Sequence, residues 1–243
     1  MRIGLRTLLR LVLLGSAAGG GLAVAGCTAG GIDLGGGLVL GGINESTIAA
    51  GLREALQIGA ERSVSQAARP GGFLENPRVR IPIPPQLDKI ARGLRALGFN
   101  GAVDDLETAM NRAAERAARE AQGPLVNAVT SLTIADARAI LSGRDDAATQ
   151  YLRSHSEDAL RARFAPVVES AMRAAGVYRA YKELRARNRA LALLGDPTVE
   201  LERHVTDETL DGLFTLIADE EARIRKDPAA RTTELLRVTF GQP

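Results

Sequence analysis

From Asn44 onward, apolar side chains recur every three or four positions, which is the spacing of one face of a helix. No segment of useful length alternates apolar and polar residues, as a half-buried strand would. The clearest helical face is predicted over about residues 101–121 and consists of Val103, Leu106, Met110, Ala113 and Ala117. The pattern therefore predicts an all-α fold, a single-domain bundle of many helices.

Caps and breakers divide this pattern into separate helices. The first is predicted from Asn44 or Ser46 to about Ala68, before Arg69-Pro70-Gly71-Gly72. Thr133 followed by Asp136 predicts a capping box. Further helices are predicted over about 86–98, around 125–129, over 133–143, 145–176 with a restart at Ser156-Glu157, 177–194, 206–226 and 227–240.

A proline-rich segment interrupts the helices between residues 70 and 85, where five of the sixteen positions are proline. Each proline biases the preceding residue away from the helical region of backbone space. We therefore expect this segment to be extended along the surface of the domain.

Residues 1–26 have the order of a secretory signal. Arg2, Arg6 and Arg10 come first without any acid, and an apolar run and small residues follow. Two cleavage sites compete. Ala23-Val24-Ala25 predicts a cut before Gly26, whereas Val24-Ala25-Gly26-Cys27 resembles the lipobox of bacterial lipoproteins.

Cys27 is the only cysteine, so it cannot form a disulfide within the chain. The alternatives are a free thiol and an acylated anchor, and we favour acylation because the residue lies at the one position where a lipid would be attached. Thr28 follows it, where aspartate signals retention in the inner membrane of some bacteria, so the outer membrane is favoured.

Residues 27–43 contain seven glycines in seventeen positions, which predicts a flexible tether. The predicted organisation is thus a lipoprotein signal at 1–26, a tether at 27–43 and a helical domain at 44–243. The anchored chain would face the periplasm from a membrane of the cell envelope.

Charge argues against a nucleic-acid partner. The sequence has 31 basic and 29 acidic side chains, but three arginines lie in the predicted signal, which leaves 28 basic and 29 acidic. The remaining charge is uneven. Residues 151–194 have a net charge of +5 and residues 195–221 have −8, so we expect these blocks to face one another. The alternative is that the predicted helix 177–194 meets anionic lipid.

No arrangement of residues predicts catalysis, a cofactor or a metal site. There is no nucleophile motif and no phosphate-binding loop, and the acids near His155 lie at predicted helix starts. The other histidine, His204, has no ligand motif around it. We predict no catalytic, cofactor-binding or metal-binding residues.

Three polar residues fall on apolar helix faces and form a candidate buried polar cluster: Arg62, Asn188 and Glu221. A charge on such a face requires a partner if it is buried. One hypothesis is an Arg62–Glu221 pair with Asn188 beside it, although Arg225, four residues after Glu221, offers a local partner. The three interpretations are exposed positions near helix ends, a structural pair and a ligand-binding or catalytic pocket.

Several stretches resemble the bacterial family called domain of unknown function 4197. They are GLREALQIGAERSVSQ (51–66), GGFLENPRVRIPIP (71–84), TAMNRAAERA (108–117), DDAATQYLR (145–153) and the segment 209–236 with its KDPAARTT sequence. The resemblance covers most of the domain. It implies a fold class and a small exported protein, often a lipoprotein, and it implies no activity and no catalytic residues.

We therefore expect a membrane-anchored lipoprotein that binds a protein or another envelope component without catalysing a reaction. The alternatives are an enzyme or small-ligand binder that uses Arg62, Asn188 and Glu221, and a carrier of apolar ligands. A solid core with one exposed patch favours the first, a deep polar pocket the second and an open apolar cavity the third.

Overall fold

The structure is a computed structural model that describes residues 45–240, except 97, 99, 177 and 179–197, all within the unit Gly37–Pro243. The predicted signal, tether and domain boundary near residue 43 lie outside the described residues. The helices are α1 (Glu45–Ala68), α2 (Pro85–Ala96), α3 (Asn100–Ala117), α4 (Gln122–Thr130), α5 (Ile134–Leu141), α6 (Ala147–Ala174), α7 (Thr198–Lys226) and α8 (Glu234–Phe240). The described residues contain no strand, and the predicted all-α fold is confirmed.

The core lies between three long helices. α7 packs against α6 and α1, and α3 packs against α6 and also contacts α7 and α1. The largest fully buried side chains include Leu52, Met110, Leu160, Phe164 and Leu210. The predicted face of α3 is confirmed, and its alanines let the neighbouring helices approach closely. None of the helices in the described ranges is long and apolar enough to cross a bilayer.

The predicted capping box at the start of α5 is confirmed. The Thr133 side chain accepts a hydrogen bond from the Asp136 N–H, and Asp136 Oδ2 accepts one from the Thr133 N–H at 2.9 Å. The hydrogen bonds from Thr133 lower the pKa of the Asp136 carboxyl below its usual range.

Two predicted helix starts were wrong for one shared reason. α6 runs from Ala147 to Ala174 without a restart at Ser156, and α7 begins eight residues before Thr206. Within these helices Ser156 Oγ donates to Leu152 O at 2.6 Å, and Thr206 Oγ1 donates to Glu202 O at 2.8 Å. Hydroxyls bonded to the carbonyl four residues back are accommodated inside a helix and do not cap a new one.

The expected helix over 227–240 was also divided differently. Asp227 Oδ1 accepts from the Ala229 N–H at 2.9 Å, but this cap starts only a short 3-10 helix, Pro228–Ala230. α8 begins separately at Glu234.

The predicted proline-rich segment, 70–85, falls largely between α1 and α2, where residues 69–84 form a strap. The expectation that it is extended was wrong over residues 70–79, which form consecutive turns. Pro70 and Pro77 occupy the second position of turns closed by hydrogen bonds from Gly72 N–H to Arg69 O and from Val79 N–H to Asn76 O. Nor does the strap merely lie on the surface, because Phe73, Val79 and Ile81 are buried in the core.

Two buried polar residues of α3 hold the strap. Asn111, fully buried, accepts from the Ile81 N–H and donates to Ile81 O, both at 2.9 Å. Glu115 accepts from the N–H groups of Phe73 and Leu74 at 3.3 Å each and pairs with Arg112. Unpaired backbone groups are costly when buried, so these contacts are what allow a non-helical segment to enter the core.

The strap crosses α7 at Gly212, where little space remains. A Cβ atom at Gly212 would lie 2.6 Å from Cε1 of Phe73 and 3.2 Å from Cβ of Val79. We expect Gly212→Ala to lower the free energy of unfolding by about 1–3 kcal/mol through overpacking, despite alanine's higher helix propensity. Urea denaturation measures the change.

Gly93→Ala in α2 is the matched control. A Cβ atom there has no neighbouring atom within 4 Å. This variant should gain about 0.5–1 kcal/mol from helix propensity alone. An equal gain from Gly212→Ala would show that the strap does not press on α7.

Candidate functional site

The carboxylate of Glu221 lies at the junction of α1, α6, α7 and α8. Glu221 is on α7 and only 8% exposed, which agrees with its position on the apolar face of that helix. Four residues before it, Ile217 is buried in the main core, and three residues after it, Ile224 is buried in a smaller cluster. Glu221 is therefore directed toward the interior, where it meets the beginning of α6.

Glu221 satisfies the free backbone groups at the N-terminus of α6. Its Oε1 accepts from the Ala148 N–H at 3.1 Å, and its Oε2 accepts from the Thr149 N–H at 2.8 Å and from Thr149 Oγ1 at 2.7 Å. Asp146, the local cap position, makes no capping hydrogen bond with its side chain. A carboxylate at this helix end also interacts favourably with the helix dipole.

Arg225 balances the charge of Glu221 from the next turn of α7. Its Nε donates to Glu221 Oε1 at 2.9 Å, and its Nη2 donates to Ile140 O in α5 at 3.1 Å. Its guanidinium also lies over the ring of Phe240 in α8, 5.9 Å from the centroid. The Glu221–Arg225 pair thus joins four helices, and each charged group has several partners.

Arg62 does not pair with Glu221, so the hypothesis of an Arg62–Glu221 pair was wrong. Arg62 Nη1 lies 3.7 Å from Glu220 Oε2, and its side chain is 35% exposed. Glu220 lies about 100° around the helix from Glu221, on the side that faces α1. Asn188 lies outside the described residues, as does Cys27, so the role predicted for each stays a prediction.

The crevice beside Glu221 is narrow. It leaves about 20 Å³ in which the centre of a water molecule could lie, roughly enough for one water. Its lining comes from α1, α6, α7 and Phe240 of α8: Leu52, Ala55, Leu56, Gly59, Ala148, Thr149, Ile217, Glu221, Ile224, Arg225 and Phe240. This arrangement provides a structural ion pair beside a crevice that has room for about one water.

A second, wider groove lies between α1 and α4. It leaves about 200 Å³ on the same measure, between Ala60 and Val64 of α1 and Leu125, Val126 and Val129 of α4. Among the side chains whose burial the structure describes, Val126 is one of two large apolar ones that are exposed. The polar rim of this groove includes Glu61, which accepts a hydrogen bond from Gln57.

The predicted charge blocks meet where the structure describes them. Arg153 of α6 pairs with Asp211 of α7 at 2.6 Å, and Arg161 pairs with Asp207. The hydrogen bond that Arg161 donates to the Asp207 carboxylate raises the pKa of the Arg161 guanidinium above its usual range. The predicted helix 177–194, and with it the lipid-binding alternative, lies almost wholly outside the described residues.

The histidines have structural contacts. His155 stacks on Tyr151 with ring centroids 4.1 Å apart, and His204 Nε2 lies 3.2 Å from Pro82 O in the strap. In the described part of the chain, no three or more His, Cys, Asp or Glu side chains lie together in a group that could hold a metal ion.

Sequence reasoning missed Asn111 and Glu115. Asn111 lies three and seven positions before Ala114 and Ala118, so helical spacing places it on an apolar stripe. That stripe was the available signal that Asn111 is a polar residue on a buried face.

Comparison with known proteins finds one family. The family described as "Protein of unknown function (DUF4197)" matches residues 42–241, most of the chain. No curated protein and no solved structure matches.

Proposed function

The chain belongs to the DUF4197 family of proteins of unknown function, and from that premise we propose that it is an exported lipoprotein that binds a protein or another envelope component. An acyl group on Cys27 would fix it to the periplasmic face of a membrane, with the outer membrane favoured. The observation that carries this proposal is the lipobox-like Val24-Ala25-Gly26-Cys27 ahead of the only cysteine.

The bounds of the family match support a folded domain that is joined to its anchor by a separate tether. The match begins at residue 42, so the signal-like segment and nearly all of the glycine-rich segment precede it. A glycine-rich connection of this length lets a folded body reach partners around its anchor.

The chemistry of the junction argues against Glu221 as a catalytic base. Both oxygens of Glu221 already accept hydrogen bonds from the start of α6, and Arg225 neutralises the charge. A general base needs a free lone pair within reach of a substrate proton. Glu221 contributes mainly to stability when α8 covers it.

The anchor is tested by changing Cys27. We expect Cys27→Ser to move the protein from the membrane fraction to the soluble periplasmic fraction, or to leave an uncleaved precursor, because serine cannot accept the lipid. Cell fractionation and mass spectrometry of the N-terminal peptide measure both outcomes.

Thr28→Ala is the matched control and should keep both the acyl group and the membrane location. An unmodified native chain that begins at Gly26 would refute the anchor and support the ordinary cleavage site. Thr28→Asp tests the sorting hypothesis, because retention in the inner membrane is expected if the host reads that signal.

A further inference from the structure

α8 packs through a small apolar cluster of its own. Leu236 of α8 is fully buried against Ala55 of α1 and Ile224 of α7, and Ile58 and Phe240 complete the cluster. This cluster is separate from the main core, and of these five side chains only Phe240 also packs against the main core. A helix of seven residues is not stable alone, so α8 depends on this contact.

The α1–α8 contact also leaves polar atoms unpaired. Among the described side chains, the buried oxygens without a hydrogen-bond partner are Glu54 Oε2 and Thr239 Oγ1. Glu54 is one turn before Ile58 on α1, and Thr239 is three residues after Leu236 on α8, so helical spacing places each on the same side of its helix as a residue of the cluster. A buried oxygen without a donor weakens the contact that contains it.

The end of α7 does not depend on α8. Arg231, in the connection between the two helices, donates to Ile224 O and to Arg225 O at 3.1 and 2.9 Å. These bonds satisfy two of the last carbonyls of α7, and their donor precedes α8 in the chain. α8 can therefore leave while α7 and the Glu221–Arg225 pair stay in place.

We propose that α8 is a removable cover, and that the groove it occupies between α1 and α7 binds an amphipathic helix of a partner protein. α8 itself shows what fits the groove, which is a helix with two apolar side chains four residues apart, in the places of Leu236 and Phe240. Glu54 Oε2 has no donor and the Thr239 hydroxyl does not bond to it, so we infer that the partner helix carries a longer, basic side chain near the place of Thr239. This inference rests on the proposed function only in taking a protein as the partner.

The test uses a labelled synthetic peptide of residues 227–243 and the chain from residue 27, with Cys27→Ser so that lipid has no effect. The peptide competes with the tethered α8 for the groove, so it should bind the unaltered chain weakly. Leu236→Asp in the protein releases α8 and should tighten peptide binding at least about tenfold, as measured by fluorescence anisotropy. Arg237→Asp, at an exposed position of α8, is the matched control and should not change the affinity.

The partner's charge is tested with a second peptide. Thr239→Lys in the peptide should tighten binding to the Leu236→Asp protein by about tenfold more, and Glu54→Gln in the protein should abolish that gain. A gain that persists with Glu54→Gln would overturn the proposed basic partner. Absence of peptide binding to a folded Leu236→Asp protein would overturn the groove.

Hydrogen exchange of the unaltered chain keeps the test decisive if Leu236→Asp does not fold. Amides of residues 236–240 should exchange at least about tenfold faster than those at the centre of α6. Equal protection would overturn the removable cover. If the unaltered chain forms a dimer by exchanging α8, the occupant of the groove is a second copy of this chain, and the proposed partner protein is overturned. Because lipid is absent from these experiments, their outcome is independent of the Cys27 test.

Discussion

Replacing Glu221 with alanine is expected to lower the free energy of unfolding by about 3–5 kcal/mol, because one member of a buried ion pair is removed. Arg225 would keep a side chain that is only 15% exposed and would lose its carboxylate partner. The N–H groups of Ala148 and Thr149 would also lose their acceptor at the start of α6. Urea denaturation of the purified chain from residue 27 measures the loss.

Asp219→Ala is the matched control, two residues away on the same helix. Asp219 pairs with Arg78 at 2.9 Å, but both side chains are well exposed, at 44% and 63%. Exposed pairs contribute at most about 1 kcal/mol. Equal effects of the two substitutions would refute the structural role of Glu221. A gain in stability from Glu221→Ala would show that the carboxylate is held at a cost, as in a functional pocket.

Replacing Asn111 with alanine is expected to lower the free energy of unfolding by about 2–5 kcal/mol, because the N–H and C=O of Ile81 both lose a buried partner. The strap would then enter the core with unpaired backbone groups. Urea denaturation gives the size of the effect. Hydrogen exchange gives its location, since the Ile81 amide should lose protection before the amides of α6 do.

Asn127→Ala provides the comparison. Asn127 is exposed on α4, so this substitution should change stability by less than about 0.5 kcal/mol. If both variants unfold at the same urea concentration, Asn111 does not hold the strap.

The sequence predicted most reliably what depends on helical period. The face of α3, the capping box at Thr133 and the position of Glu221 on the apolar face of its helix follow from local spacing, because neighbouring residues in a helix fix which side chains share a face. The contacts of Glu221 with the start of α6 could not be predicted from local spacing. Its Thr149 contact joins residues 72 positions apart, and nothing local indicates which helix end will lie there.

The errors arose where side chains have more than one way to satisfy hydrogen bonds. Ser156 and Thr206 are residue types that often cap helices, but their hydroxyls bond to carbonyls within a continuous helix. Proline excludes helix in the strap but does not distinguish an extended chain from consecutive turns. Only the presence of Asn111 and Glu115 on α3 makes the buried path of the strap possible.

The packing of α8 against α1 also has a consequence for the order of folding. The contact joins the first and last helices described, so it closes a loop of about 180 residues, and its entropic cost must be met before any apolar contact is gained. The strap contacts with α3 span only 30 to 42 residues and can form earlier. The site that α8 fills is formed by α1 and α7 together, so α8 is expected to dock only after those two helices have met, and the rest of the domain must be able to exist without it for a short time.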